Sequence, residues 1–331
     1  MIRGIASAWG ALSLLAGIGT AAWSAAPAPP NPAPALADVH ILPVQGNISM
    51  LVGAGGNITV QTGSDGVLLV DTGLAPMSEK VLAAVRSLSD RTIRYIINTH
   101  VHADHVGGNE AIAKSGRTIA GGNVVGDIGA SASSQATIFA FQTVLDRMSA
   151  SSPGSPAAPQ GAWPTDTYTT PERKIFFNNE GVEMIHVPAA HTDGDTIVFF
   201  RRSDVISTGD IFVTNGYPIV DLDRGGNIQG VIAGLNRIVE MSIPADEQEG
   251  GTLIIPGHGR LCDVADVVFY QEMVIIIRDR VQDMIKKGMS LEQVVAAKPT
   301  RDYDPRYGST TGFWTTDKFV TAVYKSLRAQ P

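Results

Sequence analysis

Short apolar runs punctuated by turn residues fill the first three quarters of the chain, and long amphipathic stretches dominate the last quarter. Residues 39–44, 48–52 and 58–61 read as strands, the last two separated by the glycine-rich hairpin Gly53-Ala54-Gly55-Gly56-Asn57. That hairpin lacks the Lys-Ser/Thr ending and the following helix of a phosphate loop, so it is expected to be a flexible flap beside a pocket or a plain turn. Residues 66–71, Gly-Val-Leu-Leu-Val-Asp, form a continuous apolar run ending in an acid, which predicts a strand buried on both faces. Helical spacing follows over 76–89, then a strand over 92–98 that delivers a histidine cluster at its C-terminal end. Residues 131–148 read as a helix, and 149–161 as a Ser/Pro/Ala/Gln-rich loop. Strands recur at 174–177, 182–187, 196–200, 205–207 and 253–255, with helices at 228–241 and 264–287. Two groups of strands, each followed by helices, predict an α/β fold in which two sheets pack face to face with helices outside.

The chain has 331 residues and neither an internal repeat nor a long central linker, which predicts one large domain with an extension. A hydrophobic fraction of 44%, 17% charged residues, 35 glycines and 19 prolines fit a globular protein rich in turns and buried strands. Residues 1–26 carry Arg3, an apolar stretch over 6–22 and small residues at Ala22, Ser24 and Ala25, the layout of a cleavable secretory signal. A Pro/Ala-rich linker, 27–38, follows. The apolar stretch is short for a membrane span and contains glycines, so the mature protein is expected in the periplasm or the extracellular medium, with no stable membrane span. The single cysteine, Cys262, permits no intrachain disulfide, and it reads as a small buried residue although it lies close to His258. A net charge of -7 without a basic stripe excludes nucleic acid as a partner and leaves a small-molecule substrate.

The informative chemistry is the run His100-Val101-His102-Ala103-Asp104-His105. In an extended segment His100 and His102 point to the same side and reach one ion, while the turn that follows aims Asp104 and His105 at a neighbouring position. Further ligands must come from strand ends followed by small residues. His191, Asp210 and His258 qualify, in Ala190-His191-Thr192-Asp193-Gly194, Ser207-Thr208-Gly209-Asp210 and Pro256-Gly257-His258-Gly259. Imidazole and carboxylate donors suit two divalent ions, zinc foremost, with iron or manganese also acceptable. Asp193 and Asp195 read as turn formers, and His40 and His186 as ordinary strand residues.

Through Thr99-His100-Val101-His102-Ala103-Asp104-His105-Val106-Gly107-Gly108 and the three later motifs, residues 40–262 resemble the metallo-β-lactamase superfamily. The resemblance implies a four-layer αββα sandwich, here a catalytic domain over 39–262 with a helical C-terminal extension, 263–331, packed on it. It implies that His100, His102 and His191 bind one metal, Asp104, His105 and His258 a second, and that Asp210 bridges. Val70-Asp71-Thr72-Gly73 looks like the family's strand-end acid, which makes Asp71 a support for the ligands rather than a ligand. The implied activity is metal-dependent hydrolysis of a lactone, thioester, ester or amide by a metal-bridging hydroxide, with Asp104 as the catalytic carboxylate.

A bridging acid resembles the glyoxalase II and lactonase branches, whereas β-lactamases of the superfamily carry other residues there. Val213 stands where the homoserine-lactone branch places a tyrosine, which leaves Tyr217 as a substitute. Lys286, Lys287 and Arg301 are the candidates for the basic C-terminal region of the glyoxalase branch. β-Lactam hydrolysis, an iron-dependent oxygenase of the persulfide type and a ligand-binding module without catalysis remain as alternatives. Specificity is expected in three loops, 50–57, 149–168 and 213–227. The apolar positions of 263–331 predict core packing or a homodimer face, with Tyr303, Tyr307 and Trp314 as packing anchors or the lining of a pocket mouth.

Overall fold

The computed structural model describes residues 38–118, 134–151 and 156–328, so the expected signal segment lies outside the described residues. The first of two sheets holds, in chain order, β1 (His40–Pro43), β2 (Ile48–Val52), β3 (Ile58–Gly63), β4 (Gly66–Val70), β5 (Ile93–Ile97), β6 (Thr137–Phe141) and β7 (Asp166–Tyr168). The second comprises β8 (Glu172–Phe177), β9 (Glu180–His186), β10 (Thr196–Phe200), β11 (Val205–Ser207) and β12 (Leu253–Ile255), arranged β12-β11-β10-β9-β8. Helices are α1 (Ser78–Leu88), α2 (Ala103–Val106), α3 (Asn109–Lys114), α4 (Gln142–Ser149), α5 (Ile228–Met241), α6 (Val264–Lys286), α7 (Leu291–Ala297), α8 (Asp304–Tyr307) and α9 (Thr316–Arg328).

Strand alternation builds three apolar layers. Met50, Leu68, Val70 and Ile97 of the first sheet meet Met184, Val198, Phe200 and Ile255 of the second. The opposite faces bury Val67 and Leu69 under Val81 and Val85 of α1, and Ile197 and Ile206 under Leu235 of α5 and Val274 of α6. This is the αββα order. All five residues of β4 are buried because it lies inside its sheet, antiparallel to β3 and parallel to β5, with apolar layers on both sides. Glu180 crosses between the sheets: its buried carboxylate accepts from Gln61 Nε2 at 2.6 Å and from the Ser203 amide at 3.0 Å. A buried carboxylate with this many donors is satisfied rather than stranded.

The predicted helix over 131–148 needs correction. Residues 119–133 are outside the described residues, 137–141 form β6, and only 142–149 are helical. Thr137-Ile138-Phe139-Ala140-Phe141 is an apolar run too short for periodicity to distinguish strand from helix, and parallel pairing with β5 decides the matter. The C-terminal helices share the core of the second sheet: Phe319, Val320 and Val323 of α9 are buried with Ile211 and Tyr270. Among the described residues no helix is long and apolar enough to cross a membrane.

Candidate metal centre

Strands β9, β11 and β12 run in one direction, as do β4 and β5 of the other sheet. His100 and His102 follow β5, His191 follows β9, Asp210 follows β11 and His258 follows β12, so each candidate leaves the C-terminal end of a strand. His100, His102 and His191 bring donor atoms within 4.8 Å of one another, and so do Asp104, His105 and His258. Asp210 joins the groups: Oδ1 lies 3.2 Å from His105 Nε2 and 3.5 Å from His258 Nε2, and Oδ2 lies 3.7 Å from His191 Nε2. All seven residues expected from the sequence therefore converge. His100, His105, His191 and Asp210 form a buried floor, while His102, Asp104 and His258 reach the solvent side.

The partners of the outer ring nitrogens fix how each imidazole presents itself. Asp71, at the end of β4 with φ 65°, accepts from the Thr99 amide at 2.8 Å, from Thr99 Oγ1 at 2.7 Å and from His105 Nδ1 at 2.8 Å. Since the Thr99 hydroxyl donates to Asp71, it accepts from His100 Nδ1 at 3.0 Å. His191 Nδ1 donates to the Ile219 carbonyl at 2.7 Å, and His102 Nε2 donates to Asp221 Oδ2 at 2.8 Å. Each ring then turns its second nitrogen inwards, Nε2 in His100, His105 and His191 and Nδ1 in His102, and in the neutral ring that nitrogen is the unprotonated one. His191 Nε2 and His102 Nδ1 face each other at 2.8 Å, and two lone pairs so placed repel unless a cation or proton lies between them. His100 Nε2 and Asp210 Oδ1 are buried without a hydrogen-bond partner. Orphaned buried acceptors of this kind cost about 1–3 kcal/mol each, a cost that metal coordination removes.

Asp221 escaped sequence analysis, because one acid in a loop without a local signature is indistinguishable from any surface carboxylate. Burial opposes its ionisation, but the His102 hydrogen bond and the Arg224 guanidinium prevail and hold it well below the usual carboxylate range. Asp221→Ala is expected to weaken binding at the His102 group by about ten- to a hundredfold, read by chelator competition, while the sites' ligand count stays intact. Unchanged affinity would remove this role.

Electrostatics in the metal-free cluster are divided. Burial pushes His191 down to about 4, and burial together with the neighbouring His105 and His191 holds His100 well below its ordinary value. Burial also opposes a charge on His105, yet Asp210 and Asp71 raise it well above the imidazole range. Asp210 is held far below the carboxylate range, the surrounding imidazoles outweighing burial. The sign follows for His191: its depressed value adds stability that is complete above about pH 6.5 and lost as pH falls to about 4, a contribution of about 3 kcal/mol. Thermal melts of metal-free protein are expected to drop across that window. A flat profile there would contradict the burial of a neutral His191.

The sequence model of the metallo-beta-lactamase superfamily matches residues 51–258, more than half of the chain. The chain belongs to that superfamily. Solved structures share the fold at low identity. An inverting sec-alkylsulfatase, Pisa1 from Pseudomonas sp., superposes with a TM-score of 0.60 at 14% identity, covering 87% of this chain and 50% of that one. The chain thus spans about half the length of that enzyme. A metallo-beta-lactamase from Pontibacter korlensis gives 0.52 at 12% identity over 72% of this chain and 99% of its own. DIM-1 metallo-beta-lactamase gives 0.51 at 15% identity, covering 72% and 97%. No curated protein sequence matches the chain.

The His/Asp cluster opens into a cavity of about 1100 Å³. His102, Asp104, Asp210 and His258 line its base. Of the loops expected to set specificity, only 213–227 lines this cavity among the described residues. The Gly53–Asn57 hairpin is no flap: Gly56 N donates to the Asp104 carbonyl at 3.0 Å and Asn57 N to the Gly257 carbonyl at 2.8 Å, so it braces the loops that carry the candidate ligands Asp104 and His258. Instead, residues 307–325 supply the far wall, including Tyr307 and Trp314. Lys286, Lys287 and Arg301 do not line it, whereas Lys318 and Lys325 do. Tyr217 is tied into the C-terminal helices, its hydroxyl donating to Asp304 Oδ1 at 2.9 Å while its ring stacks on Phe319. Cys262 is buried and donates to the Arg260 carbonyl, apart from the ligand groups. Asp195 accepts from the Thr192 amide and hydroxyl, and Asp193 pairs with Arg147, so both shape the turn that carries His191.

Proposed function

We propose that the protein is an exported, dinuclear metal-dependent hydrolase acting on an ester, thioester, lactone or amide. The observation that carries this reading is Asp210, whose two oxygens face the two groups of donors, with His100 Nε2 and Asp210 Oδ1 buried without a hydrogen bond between them. His100, His102 and His191 would hold one ion, Asp104, His105 and His258 the other, and Asp210 both. Zinc suits these donors. Such a pair supplies a water of lowered pKa and polarises a carbonyl oxygen.

The chain's own residues set the rest. Asp71, Thr99, Asp221 and the Ile219 carbonyl fix ring orientation, so the inward nitrogens are preorganised before anything binds. Asp104 is partly exposed at the cavity base, 3.2 Å from His258 Nε2. There its carboxylate can orient an attacking water and pass a proton to the leaving group. Burial raises the cost of its charge, but His258 and His105 keep it ionised and able to accept. Export is supported by the signal-like residues 1–26.

The test is metal analysis of protein purified without added metal, beside a panel of lactones, thioesters, esters and β-lactams. About two zinc ions per chain with hydrolysis abolished in His102→Ala support the reading. One iron per chain with oxygen consumption overturns it, and equal rates in wild type and His102→Ala place any activity elsewhere.

A further inference from the structure

A cavity of about 1100 Å³ is far larger than a lactone ring or an ester group requires. Its base is the acid and imidazole cluster, and its far wall holds Tyr307, Phe313 and Trp314. The last two lie on a short loop closed upon itself. Ser309 N donates to Thr316 Oγ1 at 3.0 Å, and Thr316 N donates to the Ser309 carbonyl at 2.8 Å. The turn is made at Gly312, where φ is +85° and a side chain would be strained. Phe313 next to it is 73% exposed although it lines the cavity, and an aromatic ring left in water is stabilised when an apolar ligand covers it.

Charge is distributed unevenly in the same cavity. Arg224 pairs with Asp221 at 2.7 Å, with Asp223 beside it, and Lys318 Nζ donates to the Phe313 carbonyl at 2.5 Å. Lys325, exposed on α9, lines the wall without an acidic partner among the described residues. Lys318 has no acidic partner among the described residues either, but its ammonium is held by a backbone carbonyl, so an anionic group entering the cavity meets Lys325 as the less engaged cation.

We propose that loop 309–316 and Lys325 form a specificity subsite for an amphipathic substrate. The scissile group lies at the cavity base, an apolar body lies against Tyr307, Phe313 and Trp314, and an anionic end pairs with Lys325. The inference rests on the hydrolytic reading of the metal centre. Hydrolysis adds one water across the acyl–oxygen or acyl–sulfur bond, so that the acyl carbon keeps the hydroxyl and the alcohol or thiol takes the proton.

The experiment compares 4-nitrophenyl esters of straight-chain acids from acetate to decanoate with the mono-esters of the matching dicarboxylic acids, on metal-loaded wild type, Trp314→Ala and Lys325→Met. In the wild type kcat/KM should rise with chain length, and Trp314→Ala should flatten that rise by about tenfold at decanoate through KM. Lys325→Met should lower kcat/KM about fivefold for the anion-ended series and leave the neutral series unchanged. Calorimetry of decanoate and decanol binding gives a second readout, in which Lys325→Met should weaken only decanoate. If no ester is hydrolysed but binding of decanoate still depends on Lys325, the hydrolytic reading falls and the subsite stands. If hydrolysis proceeds without dependence on chain length, end charge or either substitution, the subsite is overturned and the hydrolytic reading stands.

Discussion

Asp210→Ala is expected to cut hydrolysis by about a thousandfold and to lower metal content from about two ions per chain to one or fewer, measured by steady-state rates and elemental analysis. The size follows from its position. Its oxygens face His105 and His258 on one side and His191 on the other, so one side chain serves both groups. Removing it also strips the buried His105 of one of the two carboxylates that sustain its charge. Asp71 alone then balances that buried charge, so metal-free Asp210→Ala should also melt below wild type. Asp210→Asn separates the effects: it keeps the volume but carries no charge and places an amide against imidazole nitrogens. It should recover stability in part and activity hardly at all. Full activity in Asp210→Asn would mean that the acid does not bridge.

Gly56→Ala is expected to be the most damaging substitution outside the ligands. Gly56 has no positive φ, so alanine suits its backbone, and the effect is purely steric. A Cβ there would press on the His105 ring, whose Nε2 would be 2.6 Å and Nδ1 2.9 Å away. That ring cannot yield, since it is fully buried and held by Asp71. Overpacking of a rigid site costs about 1–3 kcal/mol, and the displaced His105 should weaken the Asp104–His105–His258 group in particular. Thermal melts and metal titration check this together. Wild-type values in both would restore the reading of the hairpin as a mobile flap.

Much of the fold was legible because burial writes itself into sequence. The run Gly66-Val-Leu-Leu-Val70 is apolar at every position, and the strand is buried on both faces. Where local pattern failed, the reason was length. Residues 137–141 could satisfy either periodicity, and pairing with β5 made them a strand. The glycines of 53–57 suit a flexible flap or a plain turn equally in sequence, yet the tertiary structure uses Gly56 for close approach to His105 and Gly55 for close approach to Asp104.

The run from His100 to His105 declares its chemistry because several donors at strand spacing have no economical structural explanation, and strand ends with small residues pointed to His191, Asp210 and His258. What only the tertiary structure decided is what surrounds those donors. Asp221 reaches His102 across more than a hundred residues, and Lys325 reaches the cavity from α9 and Trp314 from the loop before it. Donor identity is a local property of the chain, fixed by residue type and spacing. Ring orientation and cavity walls are non-local, since they depend on which loops packing brings together, and no spacing in the sequence encodes that.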